Sequence, residues 1–184
     1  MDAISTWWSS NPITNQFLNF EVIAEAIPIV LAALPVSLLF GVVSFVLAIP
    51  GGLLLAFMKM SPMRFIRWIA TAYVDVVRGT PLFLQVLIFF FAVPLIPAYR
   101  VLVQSNPWMK EVTFLNMDVT IYMRGIIVLT LNSAAYMAEI FRAGIQSIPK
   151  GQLEAARSLG MTVPQAMSFV IIPQTVRRIL PTMM

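Results

Sequence analysis

Residues 26–58 read AIPIVLAALPVSLLFGVVSFVLAIPGGLLLAFM, a run without one charged side chain. A helix crosses the hydrocarbon core of a bilayer with about 20 apolar residues, so this run exceeds one crossing. Pro28 and Pro35 predict a break, because each removes an amide donor and crowds the preceding turn. Glu21–Leu34 is therefore expected as an interfacial helix with Glu21 and Glu25 at its start. The first span is expected at about 35–58, with a kink at Pro50-Gly51-Gly52. A second apolar run covers about 80–98 and a third about 119–141, the third carrying Arg124 near its start and Glu139 near its end. Pro62–Val77 mixes Arg64, Arg67 and Asp75 with Phe65, Trp68 and Tyr73, the pattern of an amphipathic helix lying at the interface.

Composition agrees. Of 184 residues 59% are apolar and 11% charged, too few charges to solvate a soluble domain of this size. There is no cysteine and no histidine, which removes thiolate and imidazole metal sites, disulfides and the usual nucleophiles and general bases. The eight carboxylates are scattered, and no pair shares a span as acid–base chemistry requires. No Gly-Lys-Ser/Thr phosphate loop occurs. An enzyme is not expected, nor a metal or other cofactor. The net charge of +4 belongs to loops rather than to a nucleic-acid surface.

Those charges orient the chain. Lys59, Arg64, Arg67 and Arg78 lie between the first two spans, and Arg142, Lys150, Arg157, Arg177 and Arg178 follow the third. Arg100 and Lys110, between the second and third, are offset by Glu111 and Asp118. The tail before Glu21 carries no Lys or Arg, so it lacks the basic region of a signal peptide. The positive-inside rule places the N-terminus outside and the segment after span three in the cytoplasm. No internal repeat or linker is visible, so residues 1–184 are expected to form one transmembrane domain.

The cytoplasmic segment, about 147–173, reads SIPKGQLEAARSLGMTVPQAMSFVIIP. Ser147 is expected to cap a helix with Pro149 in its first turn. Gly160 suits the left-handed residue that ends it. Thr162 and Gln165 have capping-box spacing for a second helix. Glu154 and Arg157 share a face, and Ala155 and Ala156 leave room for a close approach. Such a bent element can seat in a groove of a soluble partner and act as a lever; read from its composition alone it is equally a solvated amphipathic loop helix.

This spaced set, Glu154-Ala155-Ala156, Gly160, then Val170, Ile172 and Pro173, resembles the EAA segment of ABC importer permeases. Val170 and Ile172 stand where Ile and Leu are commoner. YVDVVRGTPLFL at 73–84 and LNSAAYMAEIFRAGIQSIPKG at 131–151 resemble the polar amino-acid uptake branch of that family. The resemblance runs from about Leu34 to the last residue. It implies an all-α, polytopic transmembrane helical bundle of the type I importer permease kind, in a bacterial inner membrane. It also implies an ATP-binding subunit docked on Glu154, Ala155, Ala156, Gly160 and Pro173, an extracytoplasmic binding protein, and a second permease subunit. Permeases of this branch continue past Ile179-Leu180-Pro181, so the resemblance implies a C-terminal truncation after Met184.

Asn132, Ser133, Tyr136 and Glu139 recur at three- to four-residue spacing along one face of span three. Polar groups at membrane depth face a cavity or a partner helix. Two readings stand: the face lines a substrate path, or it is interhelical glue. Glu139 has a third option, pairing with Arg142 one turn on. Gln85, alone in its apolar span, is a lesser candidate, and Arg78 reads as an interface anchor. The alternative to transport is a membrane scaffold that recruits a cytoplasmic partner.

Overall fold

The structure is a computed structural model that describes residues 20–114 and 117–183. The amino-terminal tail, expected to be free of basic charge, lies outside the described residues. Helix α1 spans Phe20–Met60. The break expected at Pro28 and Pro35 is absent, as is any interruption at Pro50. In an uncharged apolar run each proline forfeits one amide bond, whereas leaving the helix would strand several backbone groups.

The chain separates into two compact units, Met1–Leu39 and Phe40–Met184. The described part of the first is helical, with the Ser37 hydroxyl donating to the Ala33 carbonyl at 3.1 Å. The second unit contains the rest of α1 and every other element.

Helix α2, Arg64–Gly79, buries Ala70 and Val74 and exposes Phe65 and Trp68, an amphipathic pattern. Helix α3, Leu82–Leu87, runs on through a π turn, Ile88–Ala92, and a 3₁₀ turn, Val93–Leu95. The Arg64–Gly79 and Leu82–Leu95 helices meet at 103°. The second apolar run therefore stays helical only to Leu95. Ile96 is extended, and α4 restarts at Pro97–Ser105. Pro94 and Pro97 account for this, since neither can donate to the turn before it.

Helix α5, Trp108–Glu111, and a two-stranded hairpin follow. Strand β1, Thr113–Phe114, pairs antiparallel with β2, Met117–Asp118. Helix α6, Val119–Gln146, begins at Asp118, whose carboxylate accepts from the Ile121 amide at 3.0 Å and the Thr120 hydroxyl at 2.5 Å. Helix α7 is Lys150–Ser158 and α8 is Val163–Ala166. A π turn, Met167–Ile171, then leads into α9, Ile172–Met183.

Among the described residues two helices can cross a membrane by length and composition, Val22–Met60 and Val119–Gln146, or three spans if the bent α2–α3 pair counts as one. The all-α expectation holds, with one short hairpin added.

Helix α6 is the axis of the second unit. A Cβ placed on Gly52 of α1 would lie 3.1 Å from the Ala134 carbonyl oxygen and 3.2 Å from the Ala138 nitrogen of α6. The Pro-Gly-Gly stretch thus provides close helix packing rather than a kink. Small residues serve that purpose where lipid competes with apolar side chains for helix surfaces. Ala134, Met137 and Phe141 pack with Ala48, Ala56 and Ile179, while Ala135 and Ala138 pack with Val74 of α2. Phe40 lies over Gly125 and stacks on Tyr122, centroids 5.4 Å apart.

Candidate functional site

At the Gln146 end of α6 the chain makes a bent element. Ser147 ends α6 as its C-cap, and its hydroxyl donates back to the Gly144 carbonyl at 2.7 Å. Its expected role as an N-cap is thereby corrected: α7 starts one turn later, with Pro149 in the cap position. The reason is that α6 keeps hydrogen-bonding through residue 146, so Ser147 serves the helix that precedes it.

Gly160 has φ +84°, the left-handed region that glycine enters without a Cβ penalty. The Gly160 amide donates to Arg157 at 3.0 Å and the Met161 amide to Ala156 at 3.2 Å, the paired bonds of a Schellman ending. Gln165 Oε1 accepts from the Thr162 amide at 2.9 Å and its hydroxyl at 3.0 Å, so the second helix starts where the sequence places it. Pro173 follows the Met167–Ile171 π turn. Its missing N–H and its ring both act on the turn four residues back, which the wider π geometry accommodates.

Glu154, Ala155 and Pro173 are exposed, and Ala156 is buried at 4%. Adjacent alanines thus do different things: Ala156 packs inward, and Ala155 leaves a low spot on the surface. Leu159 and Phe169 are exposed nearby at 82% and 73%. Two bonds tie the element to the rest of the unit. Gln174 donates to Gln152 at 3.3 Å, and Arg178 donates to the Ser147 carbonyl at 2.8 Å, where a cation favours the helix C-terminus.

Farther up α6 a polar seam crosses to α2 and α3. Asn132 donates to Gln85 Oε1 at 3.1 Å. Gln85 in turn donates to the Val77 carbonyl and the Thr80 hydroxyl, both at 2.8 Å. The seam bridges the α2–α3 bend and borders a cavity of about 310 Å³ lined by Tyr73, Thr80, Gln85 and apolar side chains. Tyr136 is half-exposed, and the Arg78 guanidinium sits 5.3 Å from its ring centroid. Ser133 is half-buried.

Glu139 does not project into open space. Arg142 donates to its Oε2 at 2.9 and 2.7 Å, and Lys59 of α1 holds its Oε1. Lys59 also lies 3.9 Å from Asp75. Lys59 and Thr80 were not singled out from sequence. Lys59 read as a loop cation because its partner is 80 residues away. Thr80 lay at a predicted boundary, where a hydroxyl reads as a cap.

An exposed bent element thus follows one end of the long helix α6, and a polar seam runs along that helix, the layout of a helical membrane protein. The chain belongs to the family of binding-protein-dependent transport system inner membrane components, whose model matches residues 48–184. It is 34% identical to the probable amino-acid permease protein YxeN of Bacillus subtilis, over 89% of this chain and 66% of that one. It is 35% identical to the arginine transport system permease protein ArtQ of the same organism, over 89% and 67%. A putative glutamine transport system permease protein of Rickettsia prowazekii is 34% identical, over 80% and 60%. Among solved structures, an amino acid ABC transporter crystallised with histidines matches with TM-score 0.65 and 35% identity, covering 89% of this chain and 68% of that one. The chain thus spans 60–67% of the length of these curated relatives.

Proposed function

We propose that this chain is a transmembrane permease subunit of an ABC importer for a polar amino acid. The observation that carries this is the helix–Gly160–helix element, which presents Glu154 and Ala155 at the surface in a family of binding-protein-dependent permeases. The relatives' names, which cite arginine, glutamine or amino acids, favour a polar amino acid as cargo. An ATP-binding subunit would seat on the Glu154 helix, and an extracytoplasmic binding protein would deliver the substrate. A second permease subunit, identical or homologous, would complete the path. By the charge asymmetry of the loops, the α7–α8 element faces the cytoplasm of a bacterial cell.

The seam from Asn132 to Val77 is the part of the path this chain would contribute. It ties α6 to the α2–α3 bend, so a tilt of α6 that breaks the Asn132–Gln85 bond would free two amides for a substrate's carboxylate or ammonium. Ser133 and Tyr136 extend the same face. Glu139 would act through its ion pairs, not as an open cation site.

The test is ATPase activity of the reconstituted complex with binding protein and a panel of polar amino acids. Stimulation by one amino acid, abolished in Glu154→Ala and altered in preference by Asn132→Ala or Tyr136→Phe, is expected. A stable complex with no stimulation by any amino acid would support the scaffold reading instead.

A further inference from the structure

The other end of α6 carries a second polar cavity, about 310 Å³, distinct from the seam. Arg100, Lys110, Arg124, Tyr99, Thr120 and Asp118 line it. Its charge is unbalanced. Asp118 is the one carboxylate, and it is engaged as the α6 cap by the Thr120 hydroxyl and the Ile121 amide. Arg124 donates only to neutral acceptors: the Thr120 carbonyl at 2.9 Å, the Thr120 hydroxyl at 3.3 Å and the Phe90 carbonyl at 3.1 Å. Arg100 donates to the Pro94 carbonyl at 3.1 Å. The ion pairs of the described residues all involve Lys59 or Glu139, so none of these three cations has a carboxylate within contact distance; Asp118 acts on Arg124 only at longer range.

Two further features mark the cavity as a site. The Tyr99 hydroxyl is buried without a hydrogen-bond partner among the described residues, an uncommon condition for a buried donor. The volume also falls at the lower bound of small-molecule pockets, roughly 300 Å³. Charge choice follows from Asp118. A simple anion would be drawn by the cations but repelled by that carboxylate, whereas a zwitterion answers both signs.

We propose that this cavity binds a free amino acid by its carboxylate, through Arg100, Lys110 and the Tyr99 hydroxyl, with the ammonium toward Asp118. It would be a receiving subsite about 42 Å along α6 from the coupling element, taking 28 residues at 1.5 Å each. This rests on the importer reading and adds to it a second, outer stop on the path.

The test uses the assembled transporter containing this chain, in nanodiscs, without binding protein. Binding of tritiated L-glutamine and L-arginine is measured by scintillation proximity, with their carboxamides and inorganic phosphate as competitors. Lys110→Gln and Arg100→Gln should each weaken amino-acid binding about tenfold, the scale of a charge-assisted hydrogen bond, while Lys110→Arg retains it. The wild-type preference for the free carboxylate over the carboxamide should fall in parallel, with no change in melting temperature. Equal weakening for both ligand forms would mean a structural role and overturn the proposal. So would competition by phosphate alone. If the wild type transports an amino acid and the Gln variants show unaltered binding and KM, only the subsite fails. If the wild type neither binds nor transports any amino acid, the importer reading fails and takes the subsite with it.

Discussion

The two ends of α6 handle charge in opposite ways. Near Gln146, Glu139 is clamped by Lys59 and Arg142, with Asp75 beyond Lys59, so two acids meet two bases. Near Val119, Arg124 and Arg100 spend their donors on carbonyls and a hydroxyl and keep their charge. Arg124 even takes the Phe90 carbonyl, four residues before Pro94, where the helix has no amide to offer. Balanced charge bonds helices together and leaves nothing over for a ligand. Unbalanced charge in a concave site is available for one. On the readings proposed above, the difference separates a coupling end from a binding end on one helix.

The hardest way to break that contrast is Glu139→Gln. Lys59 and Glu139 are only 11% and 19% exposed, so the variant leaves a largely covered cation with only the exposed Asp75, 3.9 Å away, as counter-charge. A loss of about 3 kcal/mol is expected, toward the low end for breaking a buried pair, and detergent-solubilised thermal unfolding would read it. Lys59→Met combined with Glu139→Met should recover most of that loss. A cycle showing simple additivity would mean that the pair carries no coupling.

Gly160→Val comes next. A side chain there meets no neighbour, so its cost comes from φ +84° alone, about 1–2 kcal/mol confined to the turn. Membrane insertion should be normal and stimulated ATPase activity should fall. Retained stimulation would show that the bend does not transmit force.

At the other end, Asp118→Ala removes the α6 cap, a loss of about 1 kcal/mol. Partial burial opposes ionisation of Asp118, but hydrogen bonds from Thr120 and Ile121 and the nearby Arg124 outweigh it and hold the carboxyl below its usual 3.8. A carboxyl lowered on folding stabilises fully above its ordinary pKa, and that contribution fades as pH falls through the folded value. The melting-temperature gap between wild type and Asp118→Ala should therefore stay constant from pH 8 to 5 and close only in stronger acid. A gap that closes near neutrality would contradict this.

The smallest effect is expected at the seam. Gln85→Leu should cost about 0.6 kcal/mol, typical of a polar bond between membrane helices, while shifting substrate preference. A large stability loss with unchanged preference would make the seam glue rather than path.

Much of the bent segment after α6, and of the charge pairing just before it, was legible in the sequence because the rules are local. Gly160, Thr162 with Gln165, and Glu139 with Arg142 interact within a few residues, where spacing alone states the geometry. Prolines misled in both directions. Pro28 and Pro35 read as a break and lie inside α1, whereas Pro94, unremarked in its apolar run, ends the α3 helix early. A proline's effect depends on whether neighbouring backbone groups have somewhere else to bond, which local sequence does not state. Ser147 went to the wrong helix because a hydroxyl between two helical patterns can serve either.

What the sequence determined by itself was a helical membrane chain with a basic, bent segment after its last long apolar run. Apolar length, loop charge and turn residues act through a uniform solvent or a single turn, so no fold need be known to read them. Only the tertiary structure decided that Lys59 neutralises Glu139, that Gln85 and Asn132 share a bond across the α2–α3 bend, and that Arg100, Lys110 and Arg124 surround one cavity. Those groups lie 10 to 80 residues apart. Which charges meet depends on how α6 packs against Gly52, Val74 and Phe40, and close helix packing is a property of surfaces in contact.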